Sequence, residues 1–117
     1  MKKMSDSEFL VMQTFWDNNK PMNSTEILRV LNTTWSPNVV ITFMNRLVEK
    51  GYLSSQKVGK ERRYFPALTK EEYVSAQMQE LADEICEGST GNLLAAMVRT
   101  KSITKDDLKK WMDELDD

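Results

Sequence analysis

Apolar positions along the chain fall first into helical and then into alternating patterns. From Asp6 to Asn18, Phe9, Leu10, Met12, Phe15 and Trp16 predict one buried helical face, and from Ser24 to Leu31, Ile27, Leu28 and Leu31 predict a second. A third helix runs from Pro37 to Lys50 with Val40, Phe43, Met44, Leu47 and Val48 inside. It leaves Asn38, Ile41, Thr42, Asn45, Arg46 and Glu49 outward or at the border. Two extended runs follow, Tyr52 to Val58 and Arg62 to Leu68, joined through Gly59-Lys60-Glu61 as an antiparallel hairpin. Beyond them Val74, Met78, Leu81 and Ile85 recur at spacings of four and three along Lys70 to Glu87, which makes one apolar seam. Leu93, Leu94, Met97 and Val98 form a second stripe, and Leu108, Trp111, Met112 and Leu115 a third.

Local capping chemistry fixes where these helices start. Ser5, Asn23 and Thr69 each precede a glutamate by three residues (Glu8, Glu26, Glu72), and Met4/Phe9, Met22/Ile27 and Leu68/Tyr73 flank them at hydrophobic-staple spacing. Thr104 with Asp107, stapled by Ile103 and Leu108, marks another start. Ser36-Pro37 places a capping residue before a proline suited to the first helical position. Gly51 ends the third helix. Only Asn32, Thr33, Thr34 and Trp35 separate the second helix from the third, which forces a sharp helix-turn-helix. The expected fold is mainly α with a small antiparallel β hairpin: a winged helix-turn-helix over residues 1–68, then a helical dimerisation region over 69–117.

Composition narrows the chemistry. A chain of 117 residues, 40% hydrophobic, buries one ordinary core. With one cysteine and no histidine it lacks the usual zinc ligands, the Ser-His and Cys-His nucleophilic pairs and any internal disulfide. It reads as a non-enzymatic, cofactor-free cytoplasmic protein that neither holds a metal nor binds membranes directly. No apolar run approaches the ~20 residues of a membrane span, and Met1-Lys-Lys-Met-Ser-Asp6 lacks the apolar segment of a signal peptide.

The net charge of −2 hides an asymmetry. Residues 1–68 carry ten Lys/Arg against six Asp/Glu (+4), whereas 69–117 carry six against twelve (−6). A basic first half suits a polyanion and an acidic second half a protein partner. The hairpin tip concentrates Lys57, Lys60, Arg62 and Arg63, placed where the phosphates of double-stranded DNA lie when a third helix enters the major groove. The bland reading of those cations is a solvated hairpin edge protected from aggregation.

On the third helix, Asn38 and Asn45 suit bidentate contact with adenine, Thr42 offers a methyl and a hydroxyl, and Arg46 reaches guanine or a phosphate. Arg46 equally suits an ion pair with Glu49 or Glu26. Ile41 either touches a thymine methyl or packs under Trp35 or against the first helix. With Ser36 and Val39 at the start of the helix, these complete the candidate DNA-contacting set.

Val74, Met78, Leu81, Ile85, Leu94, Met97, Leu108, Trp111, Met112 and Leu115 are the candidate dimerisation residues, since short stripes of this kind suit a second copy; folding back onto the winged helix is the alternative. Cys86 beside the seam is a small apolar residue. Two other functions fit the same pattern: a winged-helix module whose basic wing meets an acidic protein, and a DNA-binding protein that takes a small apolar ligand between tail and winged helix.

Leu10-Val-Met-Gln-Thr-Phe-Trp16, Trp35-Ser-Pro37, Thr42 followed by Asn45-Arg46-Leu47, Lys50-Gly51-Tyr-Leu53, and Gly59 leading to Arg63-Tyr-Phe-Pro66 together resemble the penicillinase repressor family over nearly the whole chain. The resemblance implies a homodimeric transcriptional repressor on a palindromic operator. Val39 and Ile41 stand where members usually place threonine and a basic residue, which implies a different operator sequence. Copper-responsive members end in paired cysteines, whereas this chain ends Trp111-Met-Asp-Glu-Leu-Asp-Asp117. In penicillinase-type members a membrane sensor protease triggers cleavage of an Asn-Phe bond in the helix before the last. The matching position here is Ala96-Met97, and neither residue matches.

Overall fold

The computed structural model describes residues 2–115. The chain divides into two compact units, Met1–Lys70 and Glu71–Asp117.

In the first unit α1 (Asp6–Asn18), α2 (Ser24–Val30) and α3 (Pro37–Glu49) precede a hairpin of β1 (Leu53–Val58) and β2 (Glu61–Pro66). The Ser5/Glu8 and Asn23/Glu26 capping boxes both close, each cap oxygen taking the N–H of its glutamate and each glutamate the N–H of its cap. Ser36 Oγ accepts from the Val39 N–H, and Pro37 opens α3 where its missing N–H costs nothing. Gly51 leaves α3 at φ 88°, a left-handed conformation that glycine adopts without steric cost. The strands pair in register from Leu53↔Pro66 to Val58↔Glu61, so the loop is the two residues Gly59-Lys60. Glu61 belongs to β2 rather than to the loop expected from sequence. Gly59 at φ 66° supplies the positive first position of a II′ hairpin turn, whose twist matches that of the strands. Met22 forms a bridge with Tyr64 on the free edge of β2, with two N–H···O bonds of 2.9 Å.

The core joins Val11, Met12 and Phe15 of α1 to Ile27, Val40, Met44 and Leu47, and is closed by Met22, Leu31, Tyr52, Leu53 and Tyr64. One sequence expectation is corrected here. Phe9 and Leu10 are 39% and 44% exposed, and the inner stripe of α1 is Glu8, Val11, Met12 and Phe15. Glu8 takes an inside position because Lys50 Nζ meets its carboxylate and spares it an unpaired burial.

The second unit holds most of α4 (Lys70–Ile85), then α5 (Thr90–Arg99) and α6 (Lys105–Leu115). Thr104 and Asp107 cap each other reciprocally. Ser89 caps α5 by accepting from the Asn92 N–H, a start that, like that of α3, has no acidic third residue. Ala82 is the one fully buried hydrophobic residue among the described residues of this unit. Every helix here is amphipathic, yet the apolar stripes are exposed: Val74, Met78, Leu81 and Ile85 on α4, Leu94 and Met97 on α5, Trp111, Met112 and Leu115 on α6. Leu108 is half-buried.

Candidate nucleic-acid interface

The outward face of α3 is built by helical spacing. Asn38, Thr42, Asn45, Arg46 and Glu49 are exposed, and Val39, in the first turn, is exposed as well. Thr42 Oγ1 donates to the Asn38 carbonyl at 2.9 Å, so its hydroxyl hydrogen is spent within the helix and the group offers an acceptor and a methyl. Asn45 Oδ1 accepts a 3.0 Å bond from the Tyr64 hydroxyl. Arg46 enters no ion pair among the described residues, and Glu26, one of its two expected partners, is held by Arg63 instead. Ser36 caps the N-terminus of α3, where the helix dipole and free N–H groups favour an anion.

The hairpin sets its cations by strand parity. Lys57 and Arg62 stand directly opposite each other, on the face that also carries Leu53, Ser55, Tyr64 and Pro66. Arg62 donates to Ser55 Oγ at 2.9 Å. Lys57 and Lys60 are exposed, and with Arg62 they enter no ion pair among the described residues. A groove of about 340 Å³ runs between α3 and the wing, bordered by Asn23, Thr25, Ile41, Lys60, Arg62 and Tyr64. Ile41 is half-buried at that border, while the ring that meets Trp35 is Phe43, tilted by 58° with the centroids 5.0 Å apart.

Arg63 is placed differently from the other three wing cations. Its Nε lies 2.9 Å from Glu61 Oε1, and one terminal nitrogen lies 3.0 Å from Glu26 Oε1 and donates to the Pro21 carbonyl at 3.2 Å. Asn23 Nδ2 donates to the other Glu61 oxygen at 2.9 Å. The Glu26 carboxyl is held below its ordinary value of 4.5, first by the hydrogen bond from the Asn23 backbone and also by the charges of Arg63 and Lys20, against the opposing effect of burial. Sequence reading missed these partners. The available signal was that Glu61 and Arg63, two apart on a strand, share one face.

Outside this unit, Ala96 and Met97 lie in the last turns of α5. The Ala96 carbonyl accepts from both the backbone N–H and the hydroxyl of Thr100, each at 2.9 Å. No helix among the described residues is long and apolar enough to cross a membrane.

Comparison with known proteins gives a family model, described as Penicillinase repressor, that matches residues 4–117. The curated penicillinase repressor of Bacillus licheniformis is 24% identical over 115 residues, covering 94% of this chain and 89% of that protein. Among solved structures, the DNA-binding domain of the repressor BlaI matches at 35% identity over 62% of this chain and 94% of its own, with a TM-score of 0.53. The monomeric form of Bacillus licheniformis BlaI in complex with the blaP half-operator matches at 32% identity over 62% of this chain and 89% of its own, with a TM-score of 0.51.

Proposed function

The chain belongs to the penicillinase repressor family, whose members repress transcription by binding DNA, and from that premise we propose that it acts in the cytoplasm as a homodimer on a palindromic operator. Each subunit lays α3 in the major groove of one half-site and sets its wing on the phosphate backbone, with half-site centres at multiples of ~34–36 Å. The observation that carries this reading is the exposed polar face of α3 beside Lys57, Lys60 and Arg62, three wing cations with no carboxylate partner among the described residues. The half-operator complex of the BlaI relative supports it.

Asn38, Thr42 and Asn45 read base edges, with Val39 and Ile41 at the apolar margin; Ser36, Arg46, Lys57, Lys60 and Arg62 hold phosphates. The exposed seams of α4, α5 and α6 form the subunit interface, because apolar stripes without a core of their own need a second surface. A membrane sensor protease acting at Ala96-Met97 is one route to derepression; the other reading of these two residues is plain interface core. That bond lies in a helix and its carbonyl takes two hydrogen bonds, so cleavage requires α5 to unwind first.

Selection from a random DNA pool with the purified protein tests the proposal. An inverted repeat whose binding weakens steeply with salt supports the dimeric repressor. No enrichment, with a flat salt response, removes the DNA reading and reassigns the wing to an acidic protein.

A further inference from the structure

Glu61 is a carboxylate beside the tip of a wing that is otherwise basic, where Coulomb repulsion from DNA phosphates ought to weaken binding. Both its oxygens are engaged: one faces Arg63 Nε at 2.9 Å and the other accepts from Asn23 Nδ2 at 2.9 Å. Arg63 continues the connection to Glu26 and to the Pro21 carbonyl. Asn23 and Glu26 are themselves the two halves of the capping box of α2. The start of α2 and the second wing strand are thereby tied by a closed set of charge-assisted bonds, 38 residues apart in sequence at Asn23 and Glu61.

We propose that Glu61 and Arg63 are positioning residues that lock the wing onto the capping box of α2, so that Lys57, Lys60 and Arg62 meet the DNA backbone in a pre-set register, and that Arg63 is not itself a phosphate ligand. The inference rests on the DNA-binding reading above. Two-stranded hairpins are marginal on their own, and here, among the described residues, the free edge of β2 is held by backbone only at Met22↔Tyr64. The clamp acts between that bridge and the tip. Arg63 spends its charge on two carboxylates, whereas Lys57, Lys60 and Arg62 have none to give up before they bind.

The test uses full-length protein and a mixed-sequence DNA duplex titrated with salt, with Glu61→Ala, Arg63→Ala and the double variant. The clamp predicts that each single change weakens binding about fivefold and that the double loses little more than either, because both remove one shared device. Glu61→Ala should also flatten the salt slope although it removes a negative charge, since a loosened wing disengages its cations. If Glu61→Ala tightens binding and Arg63→Ala weakens it, with effects that multiply in the double variant, Arg63 is a phosphate ligand and the clamp is wrong while the DNA reading stands. If the unaltered protein shows no salt-dependent binding, the DNA reading falls and this role with it. Glu61→Gln guards against misfolding: it keeps an acceptor for Asn23 and loses the charge facing Arg63, and should fall between the unaltered protein and Glu61→Ala.

Discussion

The hydroxyl of Tyr64 on the second wing strand donates a 3.0 Å hydrogen bond to Oδ1 of Asn45 on the third helix. Tyr64 is buried and Asn45 exposed, so a fixed group inside the fold sets the orientation of a side chain on its surface. The bond occupies one carbonyl lone pair and leaves both amide hydrogens and the second lone pair free. Asn45 therefore presents donors, aimed by a partner 19 residues away, to whatever lies against α3.

Sequence preference should depend on that bond. Asn45→Ala is expected to cost about 1–3 kcal/mol of discrimination at one position of each half-site, with mixed-sequence affinity nearly unchanged. Tyr64→Phe keeps the ring in the core and removes only the hydroxyl, so it should blur the same position while thermal stability drops by about 1 kcal/mol. Binding to a panel of single-base operator variants measures both. Full discrimination in Asn45→Ala would move the reading face elsewhere on α3.

The wing cations are expected to act without regard to sequence. With Arg46, Lys57, Lys60 and Arg62 from each subunit on phosphates, about eight contacts give a slope near −7 for log K against log salt. Replacing Arg62 by alanine removes two contacts per dimer and should shift the slope by about 2 toward zero, equally on operator and non-operator DNA. A loss confined to the operator would make Arg62 a base reader.

Capping chemistry made the helix starts legible because each is written within four residues. Ser5/Glu8, Asn23/Glu26 and Thr104/Asp107 all bond as their spacing predicts. The interior of α1 was harder to read: six apolar residues at 9–12, 15 and 16 cover more than one face, and the choice among them turns on Lys50, 42 residues from Glu8. The site divides in the same way. Helical spacing located the exposed face of α3 and the hairpin located its cations. Glu61 lies beside Arg63 on its own strand, but the other partners that give Asn45 and Arg63 their particular roles, Tyr64, Glu26 and Pro21, come near only once the sheet has met the helices.

The Glu8–Lys50 pair gives the fold an acid-sensitive joint. Burial pushes the Glu8 carboxyl up, but hydrogen bonds from Lys50 and Ser5 and the charges of Lys50 and Arg46 outweigh it and hold the group below 4.5. A carboxyl whose value is lower folded than unfolded stabilises the fold fully above its unfolded value, and that contribution is lost as pH falls through the folded one. Urea midpoints should therefore drop as pH falls below about 4.5. Lys50→Met removes the largest lowering influence and leaves a buried carboxylate without its partner, at a cost of about 3 kcal/mol near neutrality, and should shrink that acid-side loss. An unchanged acid profile in Lys50→Met would assign the pH response to other carboxylates.

The second unit makes the strongest demand for a partner. Met78 and Leu81 are 48% and 44% exposed, and Ile85 and Met112 are 66% and 64% exposed, while charged residues crowd the remaining surface of α4 and α6. A stripe of this kind in water is costly unless it is covered. Leu81→Asp with Ile85→Asp should convert the proposed dimer to a monomer in sedimentation equilibrium while the caps and core of residues 2–70 keep the winged helix folded. Operator affinity should then fall about a hundredfold or more, because two half-sites no longer bind through one linked molecule, whereas the contacts made by each α3 are intact. A variant that stays dimeric would place the subunit interface outside these seams. One that becomes monomeric yet holds the operator as tightly would show that a single winged helix suffices for binding.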